Sequence, residues 1–231
     1  MPTKERGALP VRRRAADRQP QSAAPSGFEE YCRAHQKESI FERERGQAST
    51  WTLFLHGDSL VTGSISGSET YECNIRPGEG SEEKVHKVRV KFLCPAAVHE
   101  EVTGQMKRNE EVQRRKEGPH FLPRFRHAME DRTLFELMTR REVLFFTMLE
   151  GEILRGIIRS FSSYEIVVGM RREVPVILLR HAIYDVRDKR GKSYVKKPAT
   201  GKARASAEGA PRDSGRGPAD PLPRRGSHAD V

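Results

Sequence analysis

Residues 144–186 read LFFTMLEGEILRGIIRSFSSYEIVVGMRREVPVILLRHAIYDV, and turn signals cut them into five short apolar runs. Runs of this length, rich in Val, Ile, Leu, Phe and Tyr, read as strands rather than helices. They fall at 144–149, 154–161, 164–169, 174–179 and 182–186. Connections of only a few residues favour antiparallel pairing of successive strands. Gly151 and Gly156 sit beside β-favouring residues, and Arg180 and His181 fall where the fourth run hands over to the fifth. A small barrel with an imidazole and a guanidinium at one rim suits single-stranded RNA, whose bases stack on rings and whose phosphates attract cations.

The rest of the chain limits what surrounds this segment. Hydrophobic residues make up 35% and charged residues 32%, a balance that implies modest cores with polar flanks. The net charge is +10, but residues 1–27 carry +4 and residues 187–231 carry +7, which leaves −1 for residues 28–186. A specific site in the centre must therefore come from local placement, while the ends offer sequence-blind attraction to phosphates. Cys32, Cys73 and Cys94 lack ligand spacing and fit a reduced, cytoplasmic chain. The opening MPTKERGALPVRRR forms no apolar leader, and no window nears the roughly 18 apolar residues of a spanning helix. No membrane partner is expected.

Between a basic arm at 1–25 and a basic tail at 196–231, both too polar to order on their own, one plan runs twice. A short helix leads into strands at 26–101, a charged linker follows at 102–122, and the plan repeats at 123–195. The first copy opens with Ser26 and Glu29 at capping-box spacing, with Phe28, Tyr31, Cys32 and His35 on one helical face. Its strands fall at 51–55, 61–64, 71–75 and 85–93, and the alternation VHKVRVKFL puts Lys and Arg on a wet face. The connector reads as solvated, with a helical stretch at 107–116. Thr133 and Glu136 repeat the capping-box spacing in the second copy. The fold class expected is mainly β: two tandem, small, five-stranded antiparallel barrels, each preceded by a short helix, with disordered basic tails.

The ordered set in residues 133–187 resembles the Sm-like proteins, and within them the Hfq family of bacterial RNA chaperones. It comprises a short helix ending in Arg140, Arg141 and Glu142, a strand, Gly151, Gly156, Ser160 and Phe161 with Tyr164, an apolar strand, and then Arg180, His181, Ala182 and Ile183. The resemblance implies a non-enzymatic RNA-binding protein of Sm-like fold. Such a protein holds single-stranded, uridine-rich RNA on a ring face and promotes RNA pairing in post-transcriptional regulation. Arg180 and His181 then stand in place of the family's Lys-His, and Tyr164 in place of the aromatic that stacks a base. Phe161 and Ser163 complete the implied pocket, and Arg140, Arg141, Arg171 and Arg172 its basic rim. The first copy looks like a diverged unit of the same fold, with Cys94 and Pro95 where the second has Arg180 and His181.

The chemistry agrees with these roles. A tyrosine ring contributes about 1–3 kcal/mol per stacked base, a guanidinium pairs with phosphate, and an imidazole donates to a base or sugar. Each residue also has a plainer reading: Tyr164 as a half-buried barrel residue, Arg140 and Arg141 as cations favoured at a helix C-terminus. No HxxxH or His-Cys spacing marks a metal site, no nucleophile is paired with a base, and no cofactor is implied. The run VPVILL is too apolar for a free edge, so it is expected to pair with another unit and close a homo-oligomeric ring of three or six chains. The competing function is an Sm-fold oligomeric scaffold for protein assembly without specific RNA binding.

Overall fold

Residues 27–78 and 80–198 are described by a computed structural model, and the apolar runs read from the sequence lie in one antiparallel sheet. The expected arm at 1–25, Ser26 and residues 199–231 of the tail fall outside the described residues. The first half contributes β1 (Thr50–Leu55), β2 (Leu60–Ser68), β3 (Glu72–Arg76), β4 (Glu83–His86) and β5 (Val90–Pro95). A short β6 (Lys107–Arg108) follows, and the second half contributes β7 (Val143–Met148), β8 (Glu152–Phe161), β9 (Glu165–Gly169), β10 (Pro175–Leu179) and β11 (Ile183–Arg187). Five helices accompany them among the described residues: α1 (Phe28–His35), α2 (Ile40–Arg43), α3 (His99–Gln105), α4 (Glu110–Arg114) and α5 (Asp131–Thr139).

The strand order is β11-β7-β8-β9-β10-β5-β1-β2-β3-β4, with β6 beside β8. The mainly β expectation holds, but hydrogen bonding does not divide into two separate barrels; it runs as a single open sheet. Each half contributes the same pattern, its last strand lying beside its first. The seam between halves is β10 on β5, with Ile177 opposite Leu93 and Leu178 opposite Phe92. The apolar run at 174–179 thus finds its second partner within the same chain.

One constant sequence offset relates the halves. It carries Gly63 onto Gly156, the bulge between Ile65 and Gly67 onto that between Ile158 and Ser160, and the His56 N–H bond to the Arg89 carbonyl onto that from Leu149 to Ala182. Both glycines sit where the strand is crossed closely. A Cβ on Gly63 would lie 2.4 Å from the Arg76 carbonyl oxygen, and one on Gly156 would lie 2.5 Å from that of Gly169.

Two large cores form beside a small cluster of Val112, Leu149 and Tyr184, and the two exchange residues across the seam. Ile177 and Leu179 of the second half pack with Leu53, Val90 and Leu93, whereas Phe54, Phe92 and Cys94 of the first pack with Val176 and Leu178. The cause is strand alternation, since successive β10 side chains point to opposite faces. The first helix also crosses over: α1 sets Phe28 and Tyr31 against Phe135, and the Tyr31 hydroxyl donates to the Phe161 carbonyl at 3.0 Å.

Several expectations are corrected. The 85–93 run is two strands divided by a 3-10 turn at Lys87–Arg89. Lys91 is not on a wet face; it is 2% exposed, because a bulge opposite Phe54 and Leu55 makes it the extra residue on β5. The Thr133–Glu136 capping box does not form, and the one expected at Ser26 lies outside the described residues. Gly27, at φ 85°, is the N-cap of α1, and α5 starts at Asp131 after Glu130, which leaves Thr133 inside the helix. The linker expected at 102–122 is partly built into the fold: Val102 and Val112 are buried, and β6 pairs with the start of β8.

Candidate functional site

The seam opens on one side into a cavity of about 1280 Å³. The second half lines it with Ser163, Tyr164, Arg180 and His181, so four of the expected pocket residues come together. Phe161 does not join them. It is 4% exposed and belongs to the core beneath Tyr31, with ring centroids 4.8 Å apart. Nor does the cavity include the expected rim. Arg140 and Arg141 lie exposed at the end of α5, and Arg171 and Arg172 border a separate shallow depression beside Glu101 and Gln105.

Arg180 is held from three sides. Its guanidinium pairs with Asp131 at 2.7 Å, donates to the Ser162 carbonyl at 2.9 Å and donates to the Met129 carbonyl at 2.6 Å. His181 is anchored across the seam, where Nε2–H donates to the Val90 carbonyl at 3.0 Å. Burial, reinforced by Arg126 nearby, pushes its pKa down to about 4, so the ring is neutral at physiological pH. Tyr164 is the exposed member, with 57% of its surface in solvent. Its loop is set by the Ser162 hydroxyl, which accepts from the Tyr164 N–H at 3.2 Å.

The sequence reading missed the other wall. The offset that carries Gly63 onto Gly156 carries Tyr71 onto Tyr164 and Lys87 onto Arg180. The hydrogen bonds agree, since the Lys87 N–H donates to the Tyr71 carbonyl at 2.8 Å and the Arg180 N–H to the Tyr164 carbonyl at 2.9 Å. The counterparts of Arg180 and His181 are therefore Lys87 and Val88, not Cys94 and Pro95, which lie in β5. Cys94 is buried, and burial pushes its thiol up to about 11. Tyr71, 70% exposed, and Lys87 line the same cavity as Tyr164 and Arg180. Phe121, 60% exposed, joins them and meets His86 edge-on at 5.4 Å. Lys37, Arg45 and Arg126 add positive charge. The missed signal was the Tyr-to-basic spacing, equal in the two halves, which a comparison made from the glycines would have revealed.

Glu165 closes the floor. It is 2% exposed and accepts from the Ile40 N–H at 2.9 Å. Burial dominates its titration and pushes the carboxyl up to about 7, against the opposing pull of that N–H and of Arg43.

A second polar cluster lies around the β1–β2 and β7–β8 turns. Lys91 pairs with Glu150 and Glu152, and Glu150 also accepts from the Gly57 N–H at 2.8 Å and contacts His56 Nδ1 at 3.2 Å. Burial opposes the Glu150 charge, but these donors win and take its pKa down to about 2. Asp58, Glu150 and Glu152 approach one another closely enough to consider a cation. The Lys91 ammonium already fills that role, so the cluster reads as an ion-pair lock on the seam. No family model, curated protein or solved structure matches the chain. Among the described residues no helix is long and apolar enough to cross a membrane.

Proposed function

We propose that this chain is an RNA-binding protein of the Sm-like class, and that each half of its sheet is one Sm-like unit. One observation carries the reading. The repeat places two exposed tyrosines, Tyr71 and Tyr164, each followed at the same distance by a basic residue, in the wall of one cavity. Aromatic faces with interleaved cations suit single-stranded nucleic acid, because every base offers a π face and every linkage a charge. Unpaired, uridine-rich RNA is the ligand favoured by the resemblance of residues 133–187, and RNA pairing is the expected consequence of holding it.

Fluorescence anisotropy with labelled oligouridine and oligoadenine, at one fixed salt concentration, tests the site. Tyr71→Ala and Tyr164→Ala are each expected to weaken binding by about 1–3 kcal/mol, roughly 5- to 150-fold. Unchanged affinity in the double variant would remove the cavity from RNA binding. The rival reading, an assembly scaffold without specific RNA contacts, draws support from Arg180 and His181, whose polar atoms already bond within the chain. It predicts equal, weak, salt-sensitive binding of both oligomers.

A further inference from the structure

The two halves put different chemistry beside their tyrosines. The offset that carries Tyr71 onto Tyr164 also carries Glu72 onto Glu165. Glu72 faces His86 across β4, pairs with Lys84 at 2.6 Å and takes no part in the cavity wall. Glu165 faces Leu179 of β10, forms no ion pair among the described residues, and lines the cavity.

Glu165 is fixed through one oxygen and free at the other. Oε2 accepts from the Ile40 N–H at 2.9 Å and so supplies α2 with the side-chain cap that Ser39 does not give. Oε1 forms no hydrogen bond among the described residues and is not sealed from the cavity. The more obvious ligand-reading groups around it are already committed: three hydrogen bonds hold the Arg180 guanidinium, and the His181 Nε2–H is spent on the Val90 carbonyl. At so buried a position, 2% exposed, a hydrogen bond offered by a ligand is stronger than in water.

We propose that Glu165 is the specificity-determining residue of the Tyr164 subsite, and that it selects a base carrying an amino group where uracil carries its O4 carbonyl. Cytosine N4 and adenine N6 are such donors, whereas uracil O4 would set one acceptor against another. A base laid on the Tyr164 ring gains stacking whatever its identity, and the carboxylate adds the discrimination. The Tyr71 subsite, whose carboxylate is paired with Lys84, offers no such acceptor, so the favoured strand is uridine-rich with one amino-bearing base. At about 1280 Å³ the cavity exceeds the roughly 300–1,000 Å³ of a pocket for one drug-sized ligand, which leaves room for two bases. This role rests on the RNA reading of the cavity and changes the base expected at one of its two subsites.

Fluorescence anisotropy on the full chain tests it at about pH 8, where the carboxyl, pushed up to about 7, is ionised. The probes are labelled oligouridine and the same strand with one central cytidine or adenosine. One substituted strand or both should bind about 10-fold more tightly than oligouridine, the size of one hydrogen bond to a charged group, and the tighter of the two names the base. In the unmodified protein, exchanging the amino group of that base for hydrogen should cancel the gain. In Glu165→Gln the side-chain oxygen is still needed by the Ile40 N–H, which leaves the NH2 facing the cavity as a donor, so oligouridine should become the tightest of the set. A carboxyl that only caps α2 would leave the order of the strands unchanged in that variant. Equal affinities for all strands, an amine-free base that binds as well as its parent, or an unchanged order in Glu165→Gln overturns the proposal while leaving RNA binding intact. Failure of every strand to bind overturns the RNA reading together with it.

Discussion

The two halves place a tyrosine and a cation at equivalent points and use the cations differently. In the second half, α5 presents Asp131 to Arg180, and the loops at Met129 and Ser162 supply two carbonyls, so the guanidinium clamps a helix to the sheet. In the first half the helix before the sheet is the single turn α2. Lys87 donates to the Ser68 hydroxyl at 2.8 Å and to the Glu69 carbonyl and stands over the Phe41 ring at 5.3 Å, with no carboxylate partner among the described residues. A flexible ammonium held by neutral groups is the easier one to turn toward a phosphate. The half that looks more degenerate in sequence thus leaves its cation the less committed of the two.

The largest test of this contrast concerns Lys91 and Tyr184, which occupy equivalent bulges. Lys91→Met leaves Glu150 and Glu152 without their cation, and a loss of about 3–5 kcal/mol is expected in urea unfolding. Tyr184→Phe, which removes only a hydroxyl, should cost less than about 1 kcal/mol. Equal effects would mean that the ion-pair lock does not hold the seam.

Acidity offers a second test. The Glu165 pKa is raised to about 7 from 4.5, so the folded state binds the extra proton between those values. Stability from this residue is therefore full below about pH 4.5 and is lost as pH rises through 7, by up to about 3 kcal/mol. Glu165→Gln should remove that loss, seen as a flatter melting temperature between pH 5 and 8. His181 acts in the other direction. Its folded pKa, about 4 against 6.5, contributes stability above pH 6.5 that disappears as pH falls through 4.

Smaller effects are expected at the glycines and the cations. Gly63→Ala and Gly156→Ala should each cost about 1–3 kcal/mol through overpacking, by matching amounts if the halves curve alike. Arg180→Met should cost about 1–3 kcal/mol, because buried carbonyls lose their donor. Lys87→Met should leave unfolding nearly unchanged and weaken oligouridine binding. The reverse pattern would return the binding role to the second half.

Most of the strand pattern was legible in the sequence, because short β-branched runs between turn residues admit few alternatives. Lys91 was not. Its alternation with Val90 and Phe92 reads as a solvent face, and only the bulge, a matter of register with β1, turns it inward. The ends of α5 were misread for a related reason: Asp131 answers to Arg180, distant in sequence, rather than to a local cap. Tyr164 was found because its surroundings match a known pattern, whereas Tyr71 was passed over because its own neighbours, Thr70 and Glu72, match none. Its role depends on a repeat visible only when the two halves are aligned through their glycines.

The swapping of Ile177 and Leu179 into the first core has a consequence during synthesis. A ribosome delivers β1 to β5 well before β10 exists, so Leu53, Val90 and Leu93 must wait with part of their packing missing. Contacts this distant along the chain close slowly. The nascent first half is therefore the stage most exposed to aggregation or to chaperone capture, and the molecule becomes safe only once its own penultimate strand has cleared the exit tunnel and docked.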